Sequence, residues 1–545
     1  MIYLDCETDR AASKVWCVVT IKGDETKVWT MPLGLQEYIG DEEVYAHNGI
    51  GFDYPVLKRC WGIQLKRKQC KDTLVLSRLY NPVIDGGHSL RAWGIRLGGD
   101  EKLDFTDFDA GLTQEMVDYC IRDTQLLQKL HQHLQFEMKT FSQQSIDLEH
   151  NIAIEVQKQE RNGFLLDMPM AVSLMVRLKN RMSEIEDQLQ AIFPPIVTER
   201  WSEKTGKRLK DGVEVFNVGS RQQIASRLEG LGVVWKQFTE NGNKVVNEVT
   251  LAEIDLPEAK AVAEYLMLQK RVGLVESWID NADDNNRVHG KVITMGAVTG
   301  RCTHSSPNMG QVPSVGSPYG KECRILWTVP EGSRLVGVDL SGIELRCLAH
   351  YMQDDDWTRE LLEGDIHTKN QLAAGLPERA MAKTMIYATL YGAGAAKIGS
   401  IVGGGSKEGT KILDNFYKNT PKLQQLVDKV ARLSEKGHLP GLDGRRVIVR
   451  SAHSALNTLL QSCGAIIAKE WVCEVHRQLY KAGIAAYVKQ VAFVHDEIQL
   501  EVKEEYAEQV AKIAVESAAI AGKSLSFRVP VDAESKIGLS WYETH

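Results

Sequence analysis

The sequence predicts an α/β multidomain fold, and three observations predict it. The chain has 545 residues, 43% hydrophobic and 25% charged, which at roughly 100 to 200 residues per domain provides for about three or four units with their own cores. Short β-type runs open the chain and a long helical stretch follows. After Arg287 strands and helices alternate to the end.

Composition already excludes several classes. A net charge of -7 on this balance is ordinary for a globular protein and rules out a self-repelling disordered chain. No apolar run is long enough to span a membrane, and MIYLDCETD carries acid where a secretory signal needs basic and then apolar residues. A soluble, cytoplasmic chain with no membrane partner is expected. Ten cysteines are scattered singly from Cys6 to Cys473 without a C-x-x-C pair, which points away from zinc knuckles and disulfide frameworks. Residues 1 to 150 hold 17 basic and 23 acidic residues, so most of the excess acid is N-terminal and basic stripes can exist elsewhere.

Residues 2 to 7 read as a strand on which Ile2 and Leu4 face one way while Tyr3, Asp5 and Glu7 face the other. Further β-type runs at 15–21 and 27–31 precede a helix over about 113–136. From 143 to 281 the pattern turns mainly helical, with 3.6-type periodicity over 144–160, 168–193, 221–230 and 257–280. Between two of these helices, the segment from Arg200 through Lys204, Lys207 and Arg208 to Lys210 has five basic residues in eleven. It reads either as a phosphate-contacting loop or as a solvated linker. The run Gly403-Gly404-Gly405 reads as a flexible connection, and without a GxxxxGKS or GxxxxGKT loop the chain is no P-loop NTPase.

Asp5 and Glu7 share one strand face, where their repulsion is costly unless a cation lies between them. Asn48-Gly-Ile-Gly-Phe52-Asp53 adds a third carboxylate. Tyr119-Cys-Ile-Arg-Asp123 puts a tyrosine and a fourth carboxylate one turn apart on a helix. Four carboxylates and a tyrosine can hold two divalent cations that activate water against a phosphodiester. Taken singly, Tyr119 and Asp123 also read as an exposed helix-face pair.

A second cluster lies in the C-terminal half. Arg334 to Asp339 reads as a strand ending in an aspartate, followed by a helix from Ser341 to His350. Glu344 has two readings, because Ser341-x-x-Glu344 is also a capping box. Ala492 to Val502 reads as two short strands turning at His495-Asp496, whose carboxylate can meet Asp339 across a sheet and hold two metal ions. Arg379, Lys383, Tyr387 and Tyr391 recur every four residues, a helical stripe basic at one end and aromatic at the other that also reads as an amphipathic surface helix. A triphosphate and a base present the same order of charge and flat apolar surface. Upstream, His367 in Asp365-Ile-His367-Thr offers a further phosphate donor.

Together, VDLSGIELRCLAHYM, GDIHTKNQ, RAMAKTMIYATLYGAG, GLDGRRVIVRSAHSALNTLLQS and FVHDEIQLEV, with GAVTGRCTH and EYLMLQKRVG, resemble family A DNA polymerases. Among these the chain is most similar to the replicative polymerases of the T-seven-type podophages. The N-terminal cluster resembles the DEDD 3'-5' exonucleases in the subtype with a tyrosine. The resemblance implies a ribonuclease-H-like exonuclease domain over 1–145 beside a right hand, with a thumb over 146–290, palm over 291–362 and 441–545, and fingers over 363–440. It implies template-directed DNA polymerisation with proofreading, serving replication.

The same resemblance assigns residues. Asp339 and Asp496, with the Leu340 carbonyl, look like ligands of two Mg²⁺, for which Mn²⁺ can substitute. Asp5, Glu7, Asp53 and Asp123 look like the exonuclease metal carboxylates, and Tyr119 like the group orienting water. Arg379, Lys383 and His367 look like triphosphate ligands of the dNTP, Tyr387 a stacking partner for base and sugar, and Tyr391 the residue closing the template side. Glu344 is similar in position to the side chain that blocks a ribose 2'-OH. Arg301, Gln461 and His495 look like primer-template DNA contacts. A monomer working with a replicative helicase-primase in a host cytoplasm is implied. The phage relatives carry a large thioredoxin-binding insertion in the thumb, where this chain has only the short basic segment, so no thioredoxin requirement is expected. A pure nuclease, a non-enzymatic replication scaffold and a single-subunit RNA polymerase are the competing readings. The complete Asp339, Lys383 and Asp496 set disfavours the first, activity with Mg²⁺ would exclude the second, and Glu344 with the proofreading cluster disfavours the third.

Overall fold

Residues 1–98 and 105–545 are described in the computed structural model of the chain. Among them, five strands form the N-terminal sheet in the order Glu25–Trp29, Val15–Lys22, Ile2–Thr8, Val44–Ala46, Cys70–Asp72. The first three are antiparallel and the last two join in parallel. Both faces are covered. Ile2, Leu4 and Val18 pack with Leu35, Ile39 and Leu57 on one side. On the other, Tyr3 and Ile21 meet Leu126, Leu127 and Leu130, while Cys17 and Val19 meet Met116 and Cys120. The helix Gln114–Glu137, capped by Thr113 on the Met116 amide, therefore lies across the face that carries Asp5 and Glu7.

The next helix, Gln143–Asn162, packs Leu148, Ile152 and Val156 into the large core formed with Val336, Val338 and Ile467. The division expected at residue 145 falls inside this helix, which also packs Ala153 into the core of the N-terminal sheet and Ile146 beside Leu126 and Leu130. Beyond it, Met168–Ile192 and Pro257–Asp280 pair as two long helices through Leu174, Leu178, Leu266 and Leu268. Asp167 caps the first, and a proline begins the second at a position with no amide to lose. The basic segment between them is the exposed end of a hairpin. Ile196–Thr198 pairs with Gly212–Glu214, and a further Trp201 to Arg208 bridge extends a β-ribbon.

A four-stranded antiparallel sheet in the order Val488–Val494, Glu497–Lys503, Ser333–Leu340, Ala533–Gly538 forms the centre of the C-terminal half. The helices Ala455–Lys481 and Ala507–Ser524 bury Ile467, Trp471, Val510 and Ala514 in the same core as its strands. Helices including Ile343–Met352, Ile366–Ala374, Arg379–Leu390, Ala395–Ser400 and Ser406–Asn419 fill the span between the sheet's first and later strands. The triple-glycine run is no slack connection. It turns tightly, with Gly403 at φ 72, between helices so close that a Cβ on Gly409 would fall 1.7 Å from the Ala395 carbonyl oxygen.

Two candidate active sites

Strand alternation sends Asp5 and Glu7 towards the long N-terminal helix, where the Cys120 thiol donates to Asp5 Oδ2 at 3.5 Å. Donor atoms of Asp5, Glu7 and Cys120 lie within 4.8 Å of one another. Asp53, 3% exposed, begins the helix Asp53–Trp61 and accepts from the Cys6 amide at 3.2 Å, which brings it to the same strand. Burial drives its carboxyl up to about 7, opposed by the Cys6 hydrogen bond and reinforced by the charge of Asp72. The Cys6 thiol is pushed well up by burial and then by Asp53 and Asp5, a consequence of the carboxylates gathered around it.

Tyr119 and Asp123 are 7% and 3% exposed on the buried face of their helix, which overturns the exposed-pair reading. The Tyr119 ring packs beside Phe105 and Phe108, with centroids 5.8 and 6.3 Å away. Sequence reasoning passes over Cys120. Its place beside Tyr119, on a helix that buries Met116, Cys120 and Asp123 together, was the available signal.

The second site stands at one end of the C-terminal sheet. Asp339 is next to last in Ser333–Leu340, opposite Glu497 on one neighbour and Glu534 on the other. Asp496 sits in the two-residue turn that joins Val488–Val494 to Glu497–Lys503, and the Leu340 amide donates to its carbonyl at 3.1 Å. His495 holds the turn with φ 59, a region that side chains other than glycine seldom occupy. Desolvation raises Asp339 to about 7, with the charges of Asp496 and Glu497 adding to it, and desolvation also raises Asp496. Glu497, which the sequence does not single out, behaves oppositely. Burial pushes its carboxyl up, but His545 at 2.8 Å, Gln499 at 2.7 Å and Trp541 at 2.5 Å donate to it and hold it below the ordinary value. Its oxygens are committed, so it is a fixed charge beneath the aspartate pair.

The basic stripe is present, with one correction. Arg379, Lys383 and Tyr387 share a face of Arg379–Leu390, but the helix ends at Leu390 and Tyr391 is its C-cap, where Gly392 at φ 75 turns the chain away. Arg379 donates to both oxygens of Asp365, at 2.6 and 3.0 Å, while Asp365 also caps Ile366–Ala374 through the His367 and Thr368 amides. The His367 ring centroid lies 6.3 Å from that of Tyr387.

The Ser341 capping box does not form. Gly342, at φ 57, starts the helix Ile343–Met352 with no side-chain cap, and Glu344 turns elsewhere. Its Oε1 accepts from the Tyr391 hydroxyl at 2.5 Å and from Arg301 at 3.3 Å. Burial and then this carboxylate raise the Tyr391 phenol to about 12. The charges of Arg301 and Glu344 act on both His495 and Asp496, so this triad links the end of the basic helix to the aspartate pair. Gln461, on Ala455–Lys481, donates to Asn457 at 2.9 Å.

Known proteins carry the same arrangement of sequence. Residues 197–543 match the family model described as DNA polymerase family A. The chain belongs to that family. It is 34% identical to the DNA-directed DNA polymerases of Enterobacteria phage T3 and Escherichia phage T7, covering 92% of this chain and of each relative. It is 27% identical to DNA polymerase I of Aquifex aeolicus, over 99% of this chain and 95% of the other. The fold matches the POL domain of Pol1 from M. smegmatis, solved with DNA primer-template and dNTP, at a TM-score of 0.82, 17% identity, and coverage of 99% and 95%. The N-terminal carboxylate cluster lies outside the span that the family model matches. Among the described residues, no helix is long and apolar enough to cross a membrane.

Proposed function

We propose that this family A chain adds dNTPs to a primer 3'-OH on a DNA template at Asp339 and Asp496, and removes 3'-terminal nucleotides at the N-terminal carboxylate cluster. The observation that carries the reading is the pair itself: two carboxyls, both raised by desolvation, at one sheet end, joined through Glu344 and Arg301 to the helix of Arg379, Lys383 and Tyr387. Carboxyls crowded in this way fit a divalent cation, which relieves their repulsion. Asp339, Asp496 and the Leu340 carbonyl would hold two Mg²⁺ or Mn²⁺ there, and Asp5, Glu7, Asp53 and Asp123 would do so in the N-terminal site. When bound, such ions lower the pKa of the attacking oxygen and neutralise the departing phosphate.

The side chains then divide the remaining work. Arg379, Lys383 and His367 take the triphosphate oxygens, and Tyr387 stacks against the base and sugar. Glu344 stands where a ribose 2'-OH would arrive. Tyr391, released from Glu344, closes the template side, while Arg301, Gln461 and His495 meet the primer-template beside the new pair. Tyr119 orients water for the exonuclease. The four-stranded sheet is read as the palm, the helices of residues 363–440 as fingers, and the paired long helices as the thumb. The order of the N-terminal sheet, three antiparallel strands continued by two parallel ones, supports its reading as ribonuclease-H-like. A monomer in the cytoplasm, supplied with primers by a helicase-primase, completes the proposal.

Alignment with the T3 and T7 relatives runs over 652 positions although this chain has 545 residues, so the relatives carry stretches that face gaps here. On this reading thioredoxin is not required, because the short basic hairpin alone occupies the place of the large thumb insertion. The test of the whole reading is extension of a labelled primer-template with Mg²⁺ and four dNTPs. Asp496→Ala should abolish extension and keep shortening, and Asp5→Ala the reverse. A wild-type chain that only shortens the primer would make the C-terminal half a DNA-holding platform.

A further inference from the structure

Away from both sites, a cavity of about 770 Å³ opens in the seam between the N-terminal unit and the large core. That volume is in the range of small-molecule sites. Arg67, from the N-terminal unit, faces Lys158 on Gln143–Asn162 and Arg477 and Lys481 on Ala455–Lys481. The lining thus sets four cationic side chains against one carboxylate, Glu155. Glu155 is fully buried and already committed to Arg67 and to Lys158, the latter at 3.0 Å. Arg477 is held from outside the cavity by Glu470 and by Glu474 at 3.0 Å, while Lys481 has no carboxylate partner among the described residues.

Burial, followed by Arg67, Arg161 and Lys58, pushes Lys158 down to about 8. Arg161 and Lys58 line a smaller, separate cavity of about 280 Å³ whose lining also includes Arg67 and Lys158. Ala485 and Val488 add apolar surface to the lining of the larger one, beside the polar His476 and Gln490. At the rim Tyr480 is 80% exposed, leaving its ring open to a ligand.

We infer that this cleft binds a free nucleotide, its phosphates received by Arg67, Lys158, Arg477 and Lys481 and its base laid against Tyr480, Ala485 and Val488. Guanidinium and ammonium donors recognise phosphate oxygens, and a flat base matches an exposed aromatic ring. Because Arg67 belongs to one unit and the other cations to the second, a bound nucleotide fastens the two together. The cleft contains none of the residues assigned to polymerisation or proofreading, so its occupancy does not depend on those roles.

The probe is mant-GDP, titrated by fluorescence into the full chain without DNA and in EDTA, where sites that need a divalent ion are silent. Saturable binding is expected, displaced by inorganic pyrophosphate. The double variant Tyr480→Ala, Lys481→Ala should weaken it roughly tenfold or more, a change of about 1.4 kcal/mol or more. Both side chains sit at the rim, so unfolding temperature and primer extension should remain those of wild type. Lys383→Ala, in the basic stripe, should leave mant-GDP binding unchanged. Absence of saturable binding overturns the inference, as does sensitivity to Lys383→Ala without sensitivity to the double variant. Binding of a ten-residue oligothymidylate that depends on Lys481, with none of mant-GDP, would overturn it too, since the cleft would then be a track for single-stranded DNA.

Discussion

Glu149 accepts from Lys469 Nζ at 2.7 and 2.9 Å and from Arg445 at 2.6 Å, and Arg445 pairs with Asp443 at 2.6 Å. Two cations and two carboxylates are thus enclosed with no side chain more than 2% exposed. They join Gln143–Asn162, Ala455–Lys481 and the turn before Arg446–Ile448. Replacing Glu149 by Leu leaves Lys469 buried without a carboxylate, because Asp443 is committed to Arg445, and breaking such a pair costs about 3–5 kcal/mol. Adding Lys469→Met removes the stranded charge and leaves Arg445 with Asp443. The double variant should therefore be more stable than Glu149→Leu, with a coupling of about 1–3 kcal/mol. Thermal unfolding of wild type, both single variants and the double variant reads this as an order of transition temperatures, since a chain of several units need not unfold in two states. A double variant that falls as far as the two singles combined would refute the reasoning.

Tyr387→Phe should lower dideoxynucleotide use in primer extension, because on the proposed stacking role the phenolic hydroxyl would stand in for the hydroxyl that the dideoxy sugar lacks; equal use by both forms would remove that role. The His131 imidazole, 1% exposed and 2.9 Å from the Tyr3 hydroxyl, is lowered to about 4 by burial, with His150 adding to it. Its folded pKa lies below the unfolded 6.5, so the unfolded chain takes the proton first. Stability is full above 6.5 and is lost as pH falls towards 4, by up to about 3 kcal/mol from this group. His131→Gln should flatten the decline in unfolding temperature over that window, and an unchanged slope would contradict the burial argument. On the ribbon, replacing Lys204, Lys207 and Lys210 with Ala should weaken primer-template binding and lower the salt slope by about 0.9 for each phosphate that the ribbon no longer neutralises. An unchanged slope would leave the ribbon merely solvated. Longer products on adding thioredoxin would contradict its proposed independence.

Long, strongly periodic segments were legible in the sequence, and Ile2–Thr8, Val15–Lys22, Gln114–Glu137, Met168–Ile192 and Pro257–Asp280 lie within a few residues of expectation. Val44–Ala46 and Cys70–Asp72 were not, because three residues cannot display a period. Yet these strands matter to the first site, since the chain leaving the former turns through Asn48 and returns at Asp53 beside Cys6. The Ser341 and Glu344 spacing shows the opposite failure. A valid capping pattern is present, but a glycine in the left-handed region one residue later starts the helix and releases Glu344 to Tyr391 and Arg301. Glu497 is invisible for a third reason. Next to Asp496 it looks like one more acid, and only the partners Trp541 and His545, more than forty residues on, separate a saturated carboxylate from an available one.

The pairing of Arg379 with Asp365 separates two accounts of the basic stripe. Both side chains are largely exposed, at 53% and 42%, so water screens the ion pair and an arriving phosphate can replace the carboxylate. If Asp365 were only a competitor, removing its charge would improve nucleotide binding. It also caps Ile366–Ala374, however, and grips Arg379 through two hydrogen bonds that fix the guanidinium plane before any ligand arrives. Asparagine caps a helix as well as aspartate but cannot hold the guanidinium in this bidentate way. Asp365→Asn should therefore keep the fold and kcat while raising the KM for dNTP severalfold, because Arg379 then has to be ordered during binding. A KM that falls would mean that the carboxylate obstructs the phosphate site, and that the order in the stripe comes from the helix alone.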